Sequence, residues 1–192
     1  MCGRYYIDAE ARELGRILRE AEQGPGGSMA QATMKVGEIF PTNIVPVLGA
    51  HGAALMKWGY SGYKNRVINA RSETAIEKPM FRKSLLERRC LIPASGYFEW
   101  QRTPSGGKTK QKYALYRPDK SICMAGLWRQ EQGEELPVFV ILTREAGAGI
   151  AHIHDRMPVI LPEALWSPWV SAAADPVRLM EQAIQTVAFR AV

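Results

Sequence analysis

CLIPASGYFEWQR, residues 90–102, is the stretch on which the fold reading turns. It is short, apolar and aromatic, and within GYFEW the period-two repeat of a strand puts Tyr97, Glu99 and Gln101 on one face and Phe98 with Trp100 on the other. Working outward, QKYALYRPD (111–119), SICMAGLW (121–128) and LPVFVILT (136–143) have the same character, and turn signals such as TPSGGK (103–108) and RPDK (117–120) separate them. Upstream, NIVPVLGAHGAALMKWGY (43–60) predicts two strands about a Gly-rich turn with a solvent-facing His51 near its tip.

Helical patterns are fewer. DAEARELGRILREAE (8–22) predicts an amphipathic helix with Asp8 as N-cap and Leu14, Ile17 and Leu18 on its apolar stripe. A second helix runs from about Met80 to Arg88 with Phe81, Leu85 and Leu86 as its stripe. REAGAGIAHIH (144–154) reads as helical, MPVIL (157–161) as a strand, and PEALW (162–166) with DPVRLMEQAIQ (175–185) as late helices. QGPGGSMAQ (23–31) is a Gly/Pro/Ser surface loop with too little chain before it to be a domain boundary. There is no repeat and no βαβ rhythm. Many strands in meander order with a few helices predict one α+β domain over residues 1–192, built on an antiparallel, partly closed, barrel-like β-sheet with peripheral helices.

Composition sets the outer bounds. A chain of 192 residues can bury about 70% of its extended-chain surface in one domain. Twenty-five Lys and Arg against nineteen Asp and Glu give a net charge of +6, which favours polyanionic partners or a solvated basic surface. The densest basic runs are RKSLLERR (82–89) and KTKQK (108–112). Three cysteines at wide spacing, with no CxxC pair, argue for a reducing compartment and against zinc; Cys90 and Cys123 sit in apolar runs and read as core. With no apolar leader and no membrane-length apolar run, the expectation is a cytoplasmic protein without membrane contact.

Four polar features interrupt these packing-dominated segments. Cys2 follows the initiator, and a side chain that small allows Met1 to be removed, which leaves an α-amine and a thiol on adjacent carbons. The alternative is a small apolar residue in a frayed terminus. Glu99, between aromatic residues on a half-buried strand, is either a general acid with a raised pKa or a rim glutamate facing water. His152 and His154 share a face if HIHDR is extended, and with no third ligand nearby a catalytic or hydrogen-bonded histidine is the better reading. Asn69 and Arg71 in VINARSE point to one side of a strand, as an oriented carbonyl and a phosphate would require.

Together with MCGRYY, these stretches form an ordered set: PTNIVPV from Pro41, WGY from Trp58, INARSET from Ile68, RRCLIPASGYFEW from Arg88, ILT from Ile141 and HIHDRMPVIL from His152. In that order they resemble the SRAP domain proteins, the SOS-response-associated peptidases, across most of the chain. The resemblance implies an α+β fold around a barrel-like sheet with a basic cleft, and covalent capture of abasic sites in single-stranded DNA. On that reading the α-amine of Cys2 attacks the ring-opened aldehyde and the thiol closes on the imine to give a thiazolidine, with no cofactor and no metal, in a monomer acting on damaged nucleoid DNA. It also implies roles: Asn69 holds Cys2 or substrate in register, Glu99 moves protons during imine formation, and His154 promotes sugar ring opening. Arg4, Arg71 and Arg156 then bind phosphates flanking the lesion, with Thr143 and Pro41 as further contacts. The chain departs from the family at SGYKNR (61–66), at EIFPTN (38–43) and at its C-terminus, which has no Lys/Asn-rich tail.

Two other classes share parts of this pattern. An N-terminal-nucleophile hydrolase, either a glutaminase or a thiol peptidase with His154 as base, also begins with cysteine, but the Gly-His-Thr-Arg-like loop and Asn-Gly pair of the glutaminases do not occur here. A non-catalytic single-strand-binding module accounts for the charge and leaves Cys2, Glu99 and His154 without a role.

Overall fold

The structure, a computed structural model, describes residues 2–23, 34–101, 111–118 and 120–192. The expected loop over 24–31 and the turn over 103–108 lie outside the described residues, as does most of the basic run at 108–112. The strands are β1 (Tyr5–Ile7), β2 (Gly37–Ile39), β3 (Ile44–Gly49), β4 (Gly52–Trp58), β5 (Asn69–Arg71), β6 (Arg89–Ala94), β7 (Gly96–Trp100), β8 (Lys112–Tyr116), β9 (Ile122–Arg129), β10 (Val138–Glu145), β11 (Arg156–Pro158) and β12 (Ala188–Ala191). The helices are α1 (Arg12–Gln23), α2 (Pro79–Glu87), α3 (Trp166–Val170) and α4 (Pro176–Glu181), with a 3-10 turn at Glu163–Leu165.

Two mostly antiparallel sheets result. A five-stranded sheet has the order β12-β8-β7-β1-β2, and a larger one has the order β11-β10-β4-β3-β6-β9. Because β9 also pairs with β10, strands β10, β4, β3, β6 and β9 close into a ring of hydrogen bonds. The α+β, largely antiparallel expectation therefore stands, but the meander does not. Ring closure uses a parallel pairing of β10 with β4, Phe139 opposite Trp58, and β5 then continues along β10 in parallel, Ile141 opposite Asn69 and Thr143 opposite Arg71. Connections between strands far apart in the chain are invisible to a local reading of turn signals.

The central parts of the ring strands are largely apolar because both their faces are covered. On β10, Phe139 and Ile141 face a core shared with Cys2, Tyr5, Tyr97 and the α1 stripe of Leu14, Ile17 and Leu18. Val138, Val140 and Leu142 face a second core containing Phe81, Leu85 and Trp169. Cys90 joins the first core and Cys123 the second, as read from their apolar surroundings. The hairpin of β3 and β4 turns at Gly49 and Gly52 with His51 exposed at its tip.

Several local readings are corrected. Asp8 accepts from the Glu10 amide at 3.0 Å, whereas the first helical carbonyl is that of Ala11, bonded by Gly15 N at 2.9 Å, so Asp8 caps a preceding turn rather than α1. Leu86 is 41% exposed and belongs to the solvent side of α2. Residues 146–154 form successive turns, not a helix. A Cβ at Gly147 would lie 2.2 Å from the Gln185 carbonyl, so close approach of another segment, not helix propensity, decides this stretch. Arg89 of the basic run at 82–89 is buried, donating to the carbonyls of Leu85, Trp169 and Ser171, while Arg82 and Lys83 are solvated. The C-terminal β12, which supplies an edge of the five-stranded sheet, was not legible as a strand.

Candidate active site

Cys2 is not frayed. It is fully buried at 0% exposure in the first core, with Sγ 3.8 Å from the Arg4 carbonyl. Its backbone carbonyl accepts from Asn69 Nδ2 at 2.8 Å, a contact that exists because parallel pairing of β5 to β10 sets the first residue of β5 beside the N-terminal segment. Asn69 Oδ1 is buried with no hydrogen-bond partner among the described residues, so one acceptor remains beside Cys2. Burial, and after it the carboxylate of Glu99, raises the thiol pKa far above its ordinary value, which keeps Cys2 protonated at neutral pH.

Alternation along β7 turns Tyr97 and Glu99 inward, as the sequence predicts, and Glu99 is only 4% exposed. The rim-glutamate reading is thereby excluded. Its Oε2 lies 3.8 Å from His154 Nε2, across from the loop that leads into β11. His154 Nδ1 lies 3.0 Å from the Arg156 amide and 2.9 Å from Asp155 Oδ1. These contacts are alternatives, since Nδ1 accepts from the amide only when deprotonated and donates to Asp155 only when protonated. In the first state the ring proton sits on Nε2, facing Glu99. His152 is exposed, packed edge-on to Phe189 on a turn, so the two histidines do not share the face that an extended segment would give them. Among the described residues no group of three or more His, Cys, Asp or Glu is placed to hold a metal ion.

The residues expected to contact a strand divide. Arg71, at the end of β5, is exposed. Arg4 is half-buried, its guanidinium carbon 4.3 Å from the Phe40 ring centre and 4.9 Å from that of Trp100, with Nη1 on Glu38 at 3.1 Å. Pro41 lies in a turn closed by Asn43 N to the Phe40 carbonyl at 3.1 Å, in which Thr42 takes φ 76°. Pro at the second position and a left-handed third residue make a type II turn, unusual in placing a β-branched residue where glycine is favoured. Thr143 is corrected: at 0% exposure, with its hydroxyl 3.5 Å from the Ala70 carbonyl, it is a buried strut and not a surface contact. Arg156 donates to both carboxylate oxygens of Glu73 at 2.7 and 2.8 Å and to the Thr143 carbonyl at 2.7 Å, so it is held as an ion pair. Hydrogen bonding from Arg156 lowers the Glu73 pKa against the opposing effect of burial.

Two parts of the site escaped sequence reasoning. Tyr5 and Tyr97 hydroxyls are buried with no hydrogen-bond partner among the described residues, and the Tyr97 pKa is pushed well up by burial, then by Cys2 and Glu99. Alternation had already put Tyr97 on the Glu99 face, so that signal was present. The carboxylates Glu38 and Glu73, which hold Arg4 and Arg156, carry no pattern in the sequence that marks them.

A cysteine at position 2, an amide, a carboxylate and a histidine are thus gathered where a closed strand ring meets a five-stranded sheet. The family described as SOS response associated peptidase (SRAP) matches residues 1–191, and the chain belongs to it. It is 31% identical over 192 residues to the abasic site processing protein YoqW of Bacillus subtilis strain 168, an alignment spanning 89% of this chain and 80% of that protein. It is 40% identical over 114 residues to the abasic site processing protein YedK of Escherichia coli strain K12, spanning 56% of this chain and 50% of that one. A crystal structure of a Bacteroides thetaiotaomicron protein shares the fold over 100% of this chain and 92% of its own, with a TM-score of 0.81 at 22% identity.

Proposed function

We propose that this protein, with Met1 removed, captures abasic sites in single-stranded DNA through a covalent bond to Cys2. The observation that carries the reading is that Asn69 and Glu99, from separate strands, both act on Cys2, and that His154 faces Glu99 from a third segment. The names of the relatives support DNA lesions as the substrate class.

The chemistry follows from the groups. The free α-amine of Cys2 attacks the aldehyde carbon of the ring-opened deoxyribose to give a carbinolamine. Loss of one water yields the imine. The thiol then adds across the C=N bond, sulfur to carbon and proton to nitrogen, closing a five-membered ring. A thiol kept protonated by burial suits this order, because the amine acts first and S–H supplies the proton that nitrogen needs. The α-amine, with an ordinary pKa of about 7.7 to 8.0, is partly neutral at physiological pH. Asn69 fixes the Cys2 backbone through Nδ2 and keeps Oδ1 as a buried acceptor. Glu99 carries protons to and from the carbinolamine oxygen, and His154 exchanges the proton that opens the sugar ring. Arg4 and Arg71 bind flanking phosphates. We place this activity in the cytoplasm, on damaged nucleoid DNA, which accords with the burial of Cys2, Cys90 and Cys123.

Intact-mass measurement tests the reading. The processed protein incubated with an oligonucleotide bearing one abasic site gives a denaturation-resistant species at the summed mass less one water. Cys2→Ala keeps an amine and gives only an adduct that needs borohydride to survive denaturation. Equal stability of the Cys2→Ala adduct without reductant rejects the thiazolidine, and turnover of glutamine or peptide in parallel samples, with no DNA adduct, favours an N-terminal-nucleophile hydrolase instead.

A further inference from the structure

The five-stranded sheet buries one face, and on its other, half-buried face two cations flanked by aromatic rings share a single carboxylate. Register puts Glu38 of β2 opposite Tyr6 of β1, and Trp100 of β7 opposite Lys112 of β8. Glu38 Oε1 accepts from Arg4 Nη1 at 3.1 Å and from Lys112 Nζ at 2.8 Å. The Arg4 guanidinium lies between the rings of Phe40 and Trp100, and the Lys112 ammonium sits 3.8 Å from the centre of the Phe98 ring. Burial acts to raise the Glu38 pKa, but the hydrogen bonds from Lys112 and Arg4 outweigh it and lower the value. Glu38 is therefore ionised and engaged, two residues in sequence from the ring of Phe40 and one strand away from the segment that carries Cys2.

A carboxylate oxygen shared by an arginine and a lysine makes the contact that a phosphate oxygen makes with the same two groups. The two anions compete for the same donors. A DNA phosphate that takes Arg4 must displace Glu38 and leaves its charge facing the polyanion. We infer that Glu38 is a built-in competitor for the phosphate site, a positioning residue that holds Arg4 and Lys112 and weakens binding of any single strand that offers no aldehyde. The inference rests on the proposed capture of abasic strands and adds how selectivity arises. An intact strand dissociates quickly from a site occupied in part by Glu38, whereas an abasic strand is retained by the covalent bond. Selection then comes from chemistry and not from tight non-covalent binding.

The sign of the effect separates this role from a purely structural one. If Glu38 merely pre-orders Arg4 for phosphate, removing its charge weakens binding; if it competes, removing its charge strengthens binding. The experiment uses fluorescence anisotropy with labelled oligothymidylate over a range of salt, for the parent protein, Glu38→Gln, the Arg4→Ala/Lys112→Ala pair, and all three changes together. Glu38→Gln keeps the shape and is expected to bind the intact strand on the order of threefold to tenfold more tightly at low salt, the range that one or two part-exposed ion pairs are worth. Its log–log salt dependence should steepen by roughly 0.7 for each phosphate newly neutralised. The gain should vanish when Arg4 and Lys112 are both alanine. Unchanged or weaker binding by Glu38→Gln, or a gain that persists without the two cations, overturns the inference. In those cases adduct formation by the parent protein on an abasic strand leaves the proposed function standing, whereas a parent that neither binds oligothymidylate nor captures the abasic strand overturns both.

Discussion

Asn69 and His154 are the residues whose roles geometry separates most clearly. Asn69 Nδ2 holds the Cys2 carbonyl at 2.8 Å, so its effect is on where the amine sits, while His154 faces Glu99, with Nε2 3.8 Å from Oε2. Asn69→Ala should therefore slow adduct formation on ring-opened and ring-closed substrates alike, by something like tenfold to a hundredfold. His154→Ala should slow formation chiefly where ring opening limits, within the ~100-fold to ~10,000-fold span of general acid–base groups. By microscopic reversibility it should also slow release of the preformed adduct. Paired time courses of formation and reversal for both variants check this, and a His154→Ala protein with parent rates in both directions would remove His154 from proton transfer.

At the scale of elements, the ring of strands depends on a close approach at Gly126. This residue of β9 pairs with Cys90 of β6 on one side and Ile141 of β10 on the other, so two strands meet across it. A Cβ there would lie 2.3 Å from Ile92 Cδ1 and 2.9 Å from the Val140 carbonyl oxygen. The isoleucine tip can rotate away, but the backbone oxygen cannot move without opening the ring. Gly126→Ala should cost about 1–3 kcal/mol, as overpacking of a filled core does. Urea unfolding monitored by tryptophan fluorescence measures it, and a change below about 0.5 kcal/mol, the scale of an ordinary surface substitution, would show that the ring tolerates the methyl group. Because Ile141 in the same register pairs with Asn69, loosening at this point should also reach the Cys2 site.

For the whole molecule, the buried acids set the response to alkali. Burial raises the thiols of Cys2 and Cys90 above their ordinary 9.0 and the phenols of Tyr5, Tyr60 and Tyr97 above their ordinary 10.0. In the unfolded chain these groups lose protons near their ordinary values, whereas the fold keeps them protonated. The native state then binds more protons than the unfolded one, so stability is fully present below the unfolded pKa values and falls as pH rises beyond them. Urea midpoints should be level from neutrality to about pH 8.5 and decline above about pH 9, and Cys90→Ala should make the decline shallower. A midpoint that stays constant to pH 10.5 would mean that these groups ionise inside the fold.

Sequence alone determined what period and composition can encode. Alternation in GYFEW set Tyr97 and Glu99 on one face before any fold was known, and that face is the buried one. The short apolar runs that became β6, β9 and β10 announced strands, and the Leu14, Ile17 and Leu18 stripe announced α1. Tertiary structure alone decided which strands became neighbours: the parallel joining of β4 and β5 to β10, the closure of β9 on β10, and the edge strand β12. With those pairings came the approach of Asn69 to Cys2 across 67 residues of chain, and the capture of Arg4 by Glu38 and of Arg156 by Glu73. The physical reason is that the period of a strand reports the face of each side chain, a property of adjacent residues. Partner and register are chosen by burial and hydrogen bonding summed over the whole chain, against a loop-closure cost that grows only slowly with separation. A glutamate that neutralises an arginine at the far end of such a pairing leaves no local trace, which is why the site's cations were legible in the sequence and the carboxylates that hold them were not.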